Sequence, residues 1–170
     1  RVEMSENLIW SDTTGEKIRK DGWLAPGLIE IESGQAKIAF NSGATATIEG
    51  PAVLSIESNN RLFLKEGSLS ADVPKPATGF TVNTPRMNAV DIGTRFGISV
   101  AKNGDSELHV MEGEVEASRT RGNAVTTLVR EGIALRADNR TRSELATIPY
   151  RGESILLTMG ETATPSPSLK

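Results

Sequence analysis

From Leu28 to Ala137 apolar and polar residues alternate almost without a break. Residues 28–32, 36–40, 44–49 and 52–57 form successive short runs in which every second side chain is aliphatic or aromatic. The pattern continues through 61–65, 69–73, 80–83, 96–100, 107–111, 115–118, 125–129 and 133–137. Each run is rich in β-branched residues and bounded by Gly, Pro, Asn or Ser, so it predicts a strand flanked by turns. The gaps are too short for crossover helices, which need a dozen or more residues. The expected fold class is therefore all-β: a single domain of many short antiparallel strands, rolled or stacked as a sandwich.

A weak internal repeat runs through the pattern. Leu64-Lys65-Glu66-Gly67-Ser68-Leu69-Ser70-Ala71 and Val110-Met111-Glu112-Gly113-Glu114-Val115-Glu116-Ala117 share an apolar-x-x-Gly-x-apolar-x-Ala spacing, with partial copies around Gly34 and Gly132. Glycine at these points predicts a left-handed backbone position. The copies are unevenly spaced, which does not support a strict solenoid.

The ends break the alternation. Residues 1–27 hold one predicted strand at 7–11 and a polar loop through Asp12-Thr13-Thr14-Gly15. The main β domain is expected over 28–160, with a polar loop at 138–144 and a last strand at 155–159. Residues 161–170 are rich in Pro, Ser and Thr and read as a linker to a further domain or tether. The chain opens on Arg1, as a fragment would, so the absence of a signal peptide or membrane anchor from it decides nothing.

Composition narrows the function. The net charge is −3, and no basic run is long enough to form a nucleic-acid footprint. Cysteine is absent, which removes disulfides and thiolate metal sites. His109 is the only histidine and sits in the alternating run Glu107-Leu108-His109-Val110-Met111, on the face opposite Leu108 and Val110. One histidine, no Gly-x-Ser-x-Gly elbow and no calcium loop give no catalytic residues, no metal site and no cofactor. Asp91, Glu112, Glu114 and Glu116 could supply paired carboxylates, but the three glutamates alternate with Gly113, Val115 and Ala117 and read as the wet face of a strand.

Aromatic residues make up only 4% of the chain, so the core must be mainly aliphatic. Phe40, Phe63, Phe80 and Phe96 all alternate with polar neighbours and are expected inside. Trp10, Trp23 and Tyr150 remain as candidate binding rings for a glycan, against the simpler reading of edge packing.

Three segments give the chain a family likeness. The first runs from Leu28-Ile29-Glu30-Ile31-Glu32-Ser33-Gly34 through Ile38-Ala39-Phe40-Asn41-Ser42-Gly43-Ala44 to Glu49-Gly50-Pro51-Ala52. The second joins Leu64-Lys65-Glu66-Gly67 to Gly79-Phe80-Thr81-Val82-Asn83-Thr84-Pro85. The third, most specific, is Val90-Asp91-Ile92-Gly93-Thr94-Arg95-Phe96-Gly97-Ile98-Ser99-Val100, followed by Leu108-His109-Val110-Met111-Glu112-Gly113-Glu114-Val115. Together they resemble the FecR family of bacterial envelope proteins over residues 24–137, and the Glu-Gly-Pro-Ala element is most similar to planctomycete-type multidomain members.

The resemblance implies a periplasmic β domain of a protein anchored in the inner membrane. Iron-uptake members relay the state of an outer-membrane receptor to a sigma factor. Gly50, Pro51, Pro85, Asp91, Gly93, Thr94, Phe96 and Gly113 are the positions expected to hold its architecture. Arg95 departs from the pattern, since an acid is common there, and no role of that acid transfers.

The implied function is a protein-interaction module of envelope signalling, not an enzyme. Its partner would be another envelope protein, such as the signalling domain of an outer-membrane receptor. The alternative is a carbohydrate or cell-wall binding or spacer module.

Val90, Ile92, Phe96, Ile98 and Val100 fall on even positions, which predicts one continuous or gently kinked strand with Asp91 capping a turn.

Overall fold

The computed structural model describes residues 1–11, 14, 22–122, 125–140, 144–152 and 154–155. The linker over 161–170, most of the loop around Asp12 and all but the first residue of the strand expected at 155–159 lie outside them.

Three long strands replace six of the short ones expected. β2 (Gly27–Ala39), β3 (Thr45–Ser58) and β4 (Arg61–Asp72) each fuse two predicted runs across a bend. β1 (Val2–Trp10) pairs antiparallel with β2, β2 with β3, and β3 with β4. The bends line up. The β2–β3 register breaks between Ile31 and Gln35, and the β3–β4 register between Glu49 and Val53. Gly34, Gly50-Pro51 and Gly67 therefore lie along one crease across the sheet. Neighbouring backbones close tightly there. A Cβ on Gly67 would stand 2.6 Å from the Cβ of Ala52, and the Gly67 φ of 109° is itself unfavourable for any other residue.

Beyond β4 the crease continues, but the strands are interrupted where they cross it. β5 (Thr81–Asn83) and β6 (Met87–Asp91) lie on one side, and β7 (Arg95–Val100) and β8 (Ser106–Glu112) on the other. β9 (Glu114–Arg119) and β10 (Thr127–Arg130) return to the first side; β11 (Ala134–Ala137) and β12 (Ala146–Ile148) complete the second. β4 is the branch point: residues 61–63 pair with β5, and residues 67–72 pair with β7. One leaf then continues β5-β6-β9-β10 and the other β7-β8-β11-β12. All pairings are antiparallel except β4 with β5, which is parallel. A 3-10 turn (Lys75–Ala77) links β4 to β5.

The inner face of this creased sheet carries one continuous aliphatic core. Ile29, Ile38, Ile48, Leu54, Leu62, Leu64, Leu69, Ile98 and Leu108 are fully buried in it. Phe80 and Phe96 are buried with them, and the ring of Phe40 meets Phe80 edge-on at 4.9 Å. Phe63 departs from expectation. It lies between the buried Leu62 and Leu64, so the two-residue period turns it to the outer face, where it is only half-buried.

The continuous strand expected through residues 90–100 is not formed. β6 ends at Asp91, and residues 92–94 bend before β7 begins at Arg95. Within β6 the odd positions Met87, Ala89 and Asp91 face inward, whereas in β7 Phe96, Ile98 and Val100 do. The bend changes the parity, and Ile92 is left on the surface. The last described strand is β12 at Ala146–Ile148, inside a stretch with no marked alternation, while Ile155 turns back in helical fashion with its N–H bonded to the carbonyl of Arg151.

Candidate functional site

The Asp91-Ile92-Gly93-Thr94 segment forms the crease between β6 and β7. The Asp91 carboxylate is buried and accepts the Gly93 backbone N–H at 2.8 Å through Oδ2, the capping role its position predicts. Gly93 adopts φ 85°. Gly113 packs against the same turn: a Cβ there would lie 2.5 Å from the Gly93 carbonyl oxygen and 2.8 Å from Thr94 Cγ2. Asp91 Oδ1 and Thr94 Oγ1 are buried with no hydrogen-bond partner. Burial outweighs the backbone hydrogen bonds and raises the Asp91 pKa to about 6. Gly50 and Pro51 lie farther along the same crease, Phe96 is in the core, and Pro85 forms the β5–β6 turn.

His109 sits on the outer face of β8, yet it is fully buried. The cover comes from the C-terminal segment. His109 Nδ1 accepts the Arg151 backbone N–H at 3.0 Å, and the Tyr150 ring lies 6.0 Å away, centroid to centroid. With Nδ1 accepting, the proton belongs on Nε2, which faces Glu107 Oε2 at 3.4 Å. Glu107 is held in turn by Arg151 at 3.0 Å and Arg136 at 3.3 Å. Burial lowers the His109 pKa despite the adjacent carboxylate. The arrangement fastens a tail to the sheet; among the described residues the imidazole's hydrogen-bonding partners are the Arg151 N–H and the Glu107 carboxylate.

The three candidate rings are not gathered into one platform. Trp10 closes β1 and packs, half-buried, against the core. Trp23 follows Gly22, whose carbonyl accepts the Val2 N–H at the opposite end of β1. Tyr150 covers β8, which is separated from β1 by β2, β3, β4 and β7 in the strand order. Trp23 and Tyr150 are each partly exposed, at 39% and 37%.

Of the candidate carboxylates, Asp91 is buried, while Glu112 and Glu116 are exposed and Glu114 pairs with Arg130 at 3.3 Å. Among the described residues no group of three or more metal-ligating side chains converges, and no helix is long and apolar enough to cross a membrane.

The most partner-ready feature was not singled out from sequence. β10 ends one leaf, paired on one side with β9. It and its flanks expose Val125 at 69%, Leu128 at 44% and Ile133 at 43%. Sheet edges bearing exposed apolar residues are unusual in a protein that must avoid self-association. In the sequence Val125, Leu128 and Ile133 lie within runs that predict strands, and nothing local marks them as exposed.

The FecR protein family model matches residues 28–116, which span the creased part of the sheet from β2 into β9. The chain belongs to the FecR family. Two crystal structures of a "putative anti-sigma factor" from Parabacteroides distasonis ATCC 8503 share the fold. One superposes with a TM-score of 0.61 at 14% identity, covering 78% of this chain and 63% of the other. The second gives 0.60 at 14% identity, covering 76% and 62%. The chain thus spans less than two thirds of the length of those proteins. No curated protein matches the sequence.

Proposed function

We propose that this chain is a non-catalytic protein-interaction module of an envelope signalling protein that regulates a sigma factor. On this reading it works in the periplasm and is tethered to the inner membrane by a segment outside the chain. Membership of the FecR family supports the reading, and so does the shared fold with a protein described as an anti-sigma factor. The observation that carries it is the β10 edge with Val125, Leu128 and Ile133 exposed. An extended segment of another envelope protein, such as a receptor signalling domain, would add to this edge through backbone hydrogen bonds and cover the apolar side chains.

Capture from envelope extracts, comparing the chain with its Leu128→Lys variant, tests the proposal. Wild-type should retain a specific protein that the variant loses at unchanged Tm, because Leu128 is already solvent-exposed. Equal capture by both, or binding to glycans in place of protein, would overturn it.

A further inference from the structure

A second surface, independent of the β10 edge, has the chemistry of an anion seat. A cleft of about 280 Å³ opens at one end of the β5-β6-β9 leaf, lined by Pro85, Arg86, Arg119, Arg121, Gly122 and Asn139. Its three arginines arrive on two stretches that meet only through the fold: Arg86 from the β5–β6 turn, and Arg119 and Arg121 from the end of β9 and the loop that follows it. The walls are braced. The Thr120 N–H donates to the Arg86 carbonyl at 3.1 Å, and the Thr120 hydroxyl to the Thr84 carbonyl at 3.2 Å, which locks the end of β9 against the turn.

Arg86 and Arg119 are oriented by fixed acceptors. Arg86 donates to Asn139 Oδ1 and to the Asn103 carbonyl, both at 3.0 Å. Its Nε lies 3.1 Å from Asp105 Oδ1, a close ion pair that is not aligned as a hydrogen bond. Arg119, only 8% exposed, donates to the carbonyls of Asp138 at 2.7 Å and Glu144 at 3.0 Å. A guanidinium carries five N–H donors, so the two hydrogen bonds of Arg86 leave three of its five without an acceptor, one of them the Nε–H beside Asp105. Arg121 is exposed and, among the described residues, has no carboxylate partner. Arg136 stands behind this group and shares Asp105 at 3.2 Å and Asp138 at 3.4 Å. Arg136 also reaches Glu107 at 3.3 Å, so its charge is met by three carboxylates, and the cleft's own cations are Arg86, Arg119 and Arg121.

We propose that this cleft binds a phosphoryl oxyanion. Three guanidiniums lining one cleft suit a tetrahedral anion with several equivalent oxygens better than a planar carboxylate, which one guanidinium satisfies in a fork. The cleft has several times the ~30 Å³ that a water molecule occupies in the liquid. It accommodates either free phosphate or a phosphate ester carried on a small sugar.

The test is a 1H–15N NMR titration of the whole chain with inorganic phosphate, glucose 1-phosphate and glucose, at constant ionic strength set with chloride. Phosphate or its ester should shift the Arg86, Arg119 and Arg121 side-chain resonances saturably. Arg121→Ala, at an exposed position that keeps the fold, should weaken binding about tenfold, and Arg121→Lys should restore part of it. Tighter binding of the ester than of phosphate assigns the seat to a phosphorylated sugar; equal binding assigns it to the free anion. The proposal falls if neither shifts those signals more than chloride does, or if Arg121→Ala binds as wild-type.

Discussion

Asp91 and His109 are buried ionisable groups that pull stability in opposite directions with pH. The folded-state pKa of Asp91 is raised, so its contribution to stability is fully present below about pH 4, near its ordinary value of 3.8, and is lost as pH rises through about 6. The folded-state pKa of His109 is lowered, so its contribution is present above 6.5 and is lost as pH falls through the folded value. Asp91→Asn should therefore raise Tm at pH 8, and the advantage should vanish near pH 4; thermal melts across that range check it. Because His109 is the only histidine, its imidazole signals can be followed directly by NMR. They should titrate below pH 6.5, and the Arg151 amide should lose hydrogen-exchange protection over the same interval, since protonated Nδ1 can no longer accept it. Thr94 offers a contrast. Its hydroxyl is buried without a partner, so Thr94→Val should be neutral or mildly stabilising.

At the scale of elements, the crease depends on residues that leave room for a neighbouring backbone. Gly93→Val places a β-branched side chain at φ 85° and should cost about 1–3 kcal/mol. Gly113→Ala should cost at least as much, because its Cβ meets a backbone carbonyl that cannot swing aside. Urea denaturation midpoints at constant m would show both. The alternation in the sequence specified the inward faces of β2, β3 and β4, since Ile29, Ile38, Ile48, Leu54 and Leu62 occupy the positions the two-residue period assigns. It could not show that two runs make one strand, because Gly34, Gly50 and Gly67 look the same in sequence whether they end a strand or bend it. It also misread residues 90–100, since Val90 and Ile92 continue the even-numbered apolar series although the bend has changed the phase. The alternation placed His109 on the face opposite Leu108 and Val110 but could not show what covers it, because the cover comes from Tyr150 and Arg151, some forty residues away. The arginine cleft was illegible for the same reason: Arg86, Arg119 and Asn139 meet only through the fold.

For the whole molecule, β4 sets the order of stability. It is paired along both edges, with β3 on one side and β5 and β7 on the other. Its amides, with those of β3 and β7, should exchange slowest with solvent, while those of β10 and β12, at the ends of the leaves, should exchange fastest. Both leaves share one core, so circular dichroism and tryptophan fluorescence should report a single coincident unfolding transition.

The crease also governs how the chain can be divided. Each pass across it, by β2, β3, β4, β6–β7, β8–β9 and β10–β11, contributes one segment to either leaf. Neither leaf is a contiguous stretch of sequence, so no single cut yields two halves that could each stand alone. A protease that nicks a surface turn should leave fragments that still migrate together, whereas loss of β11 and β12 from the C-terminal end should thin one leaf alone. A gene encoding this domain can be joined to new neighbours at its ends, but it must be inherited whole.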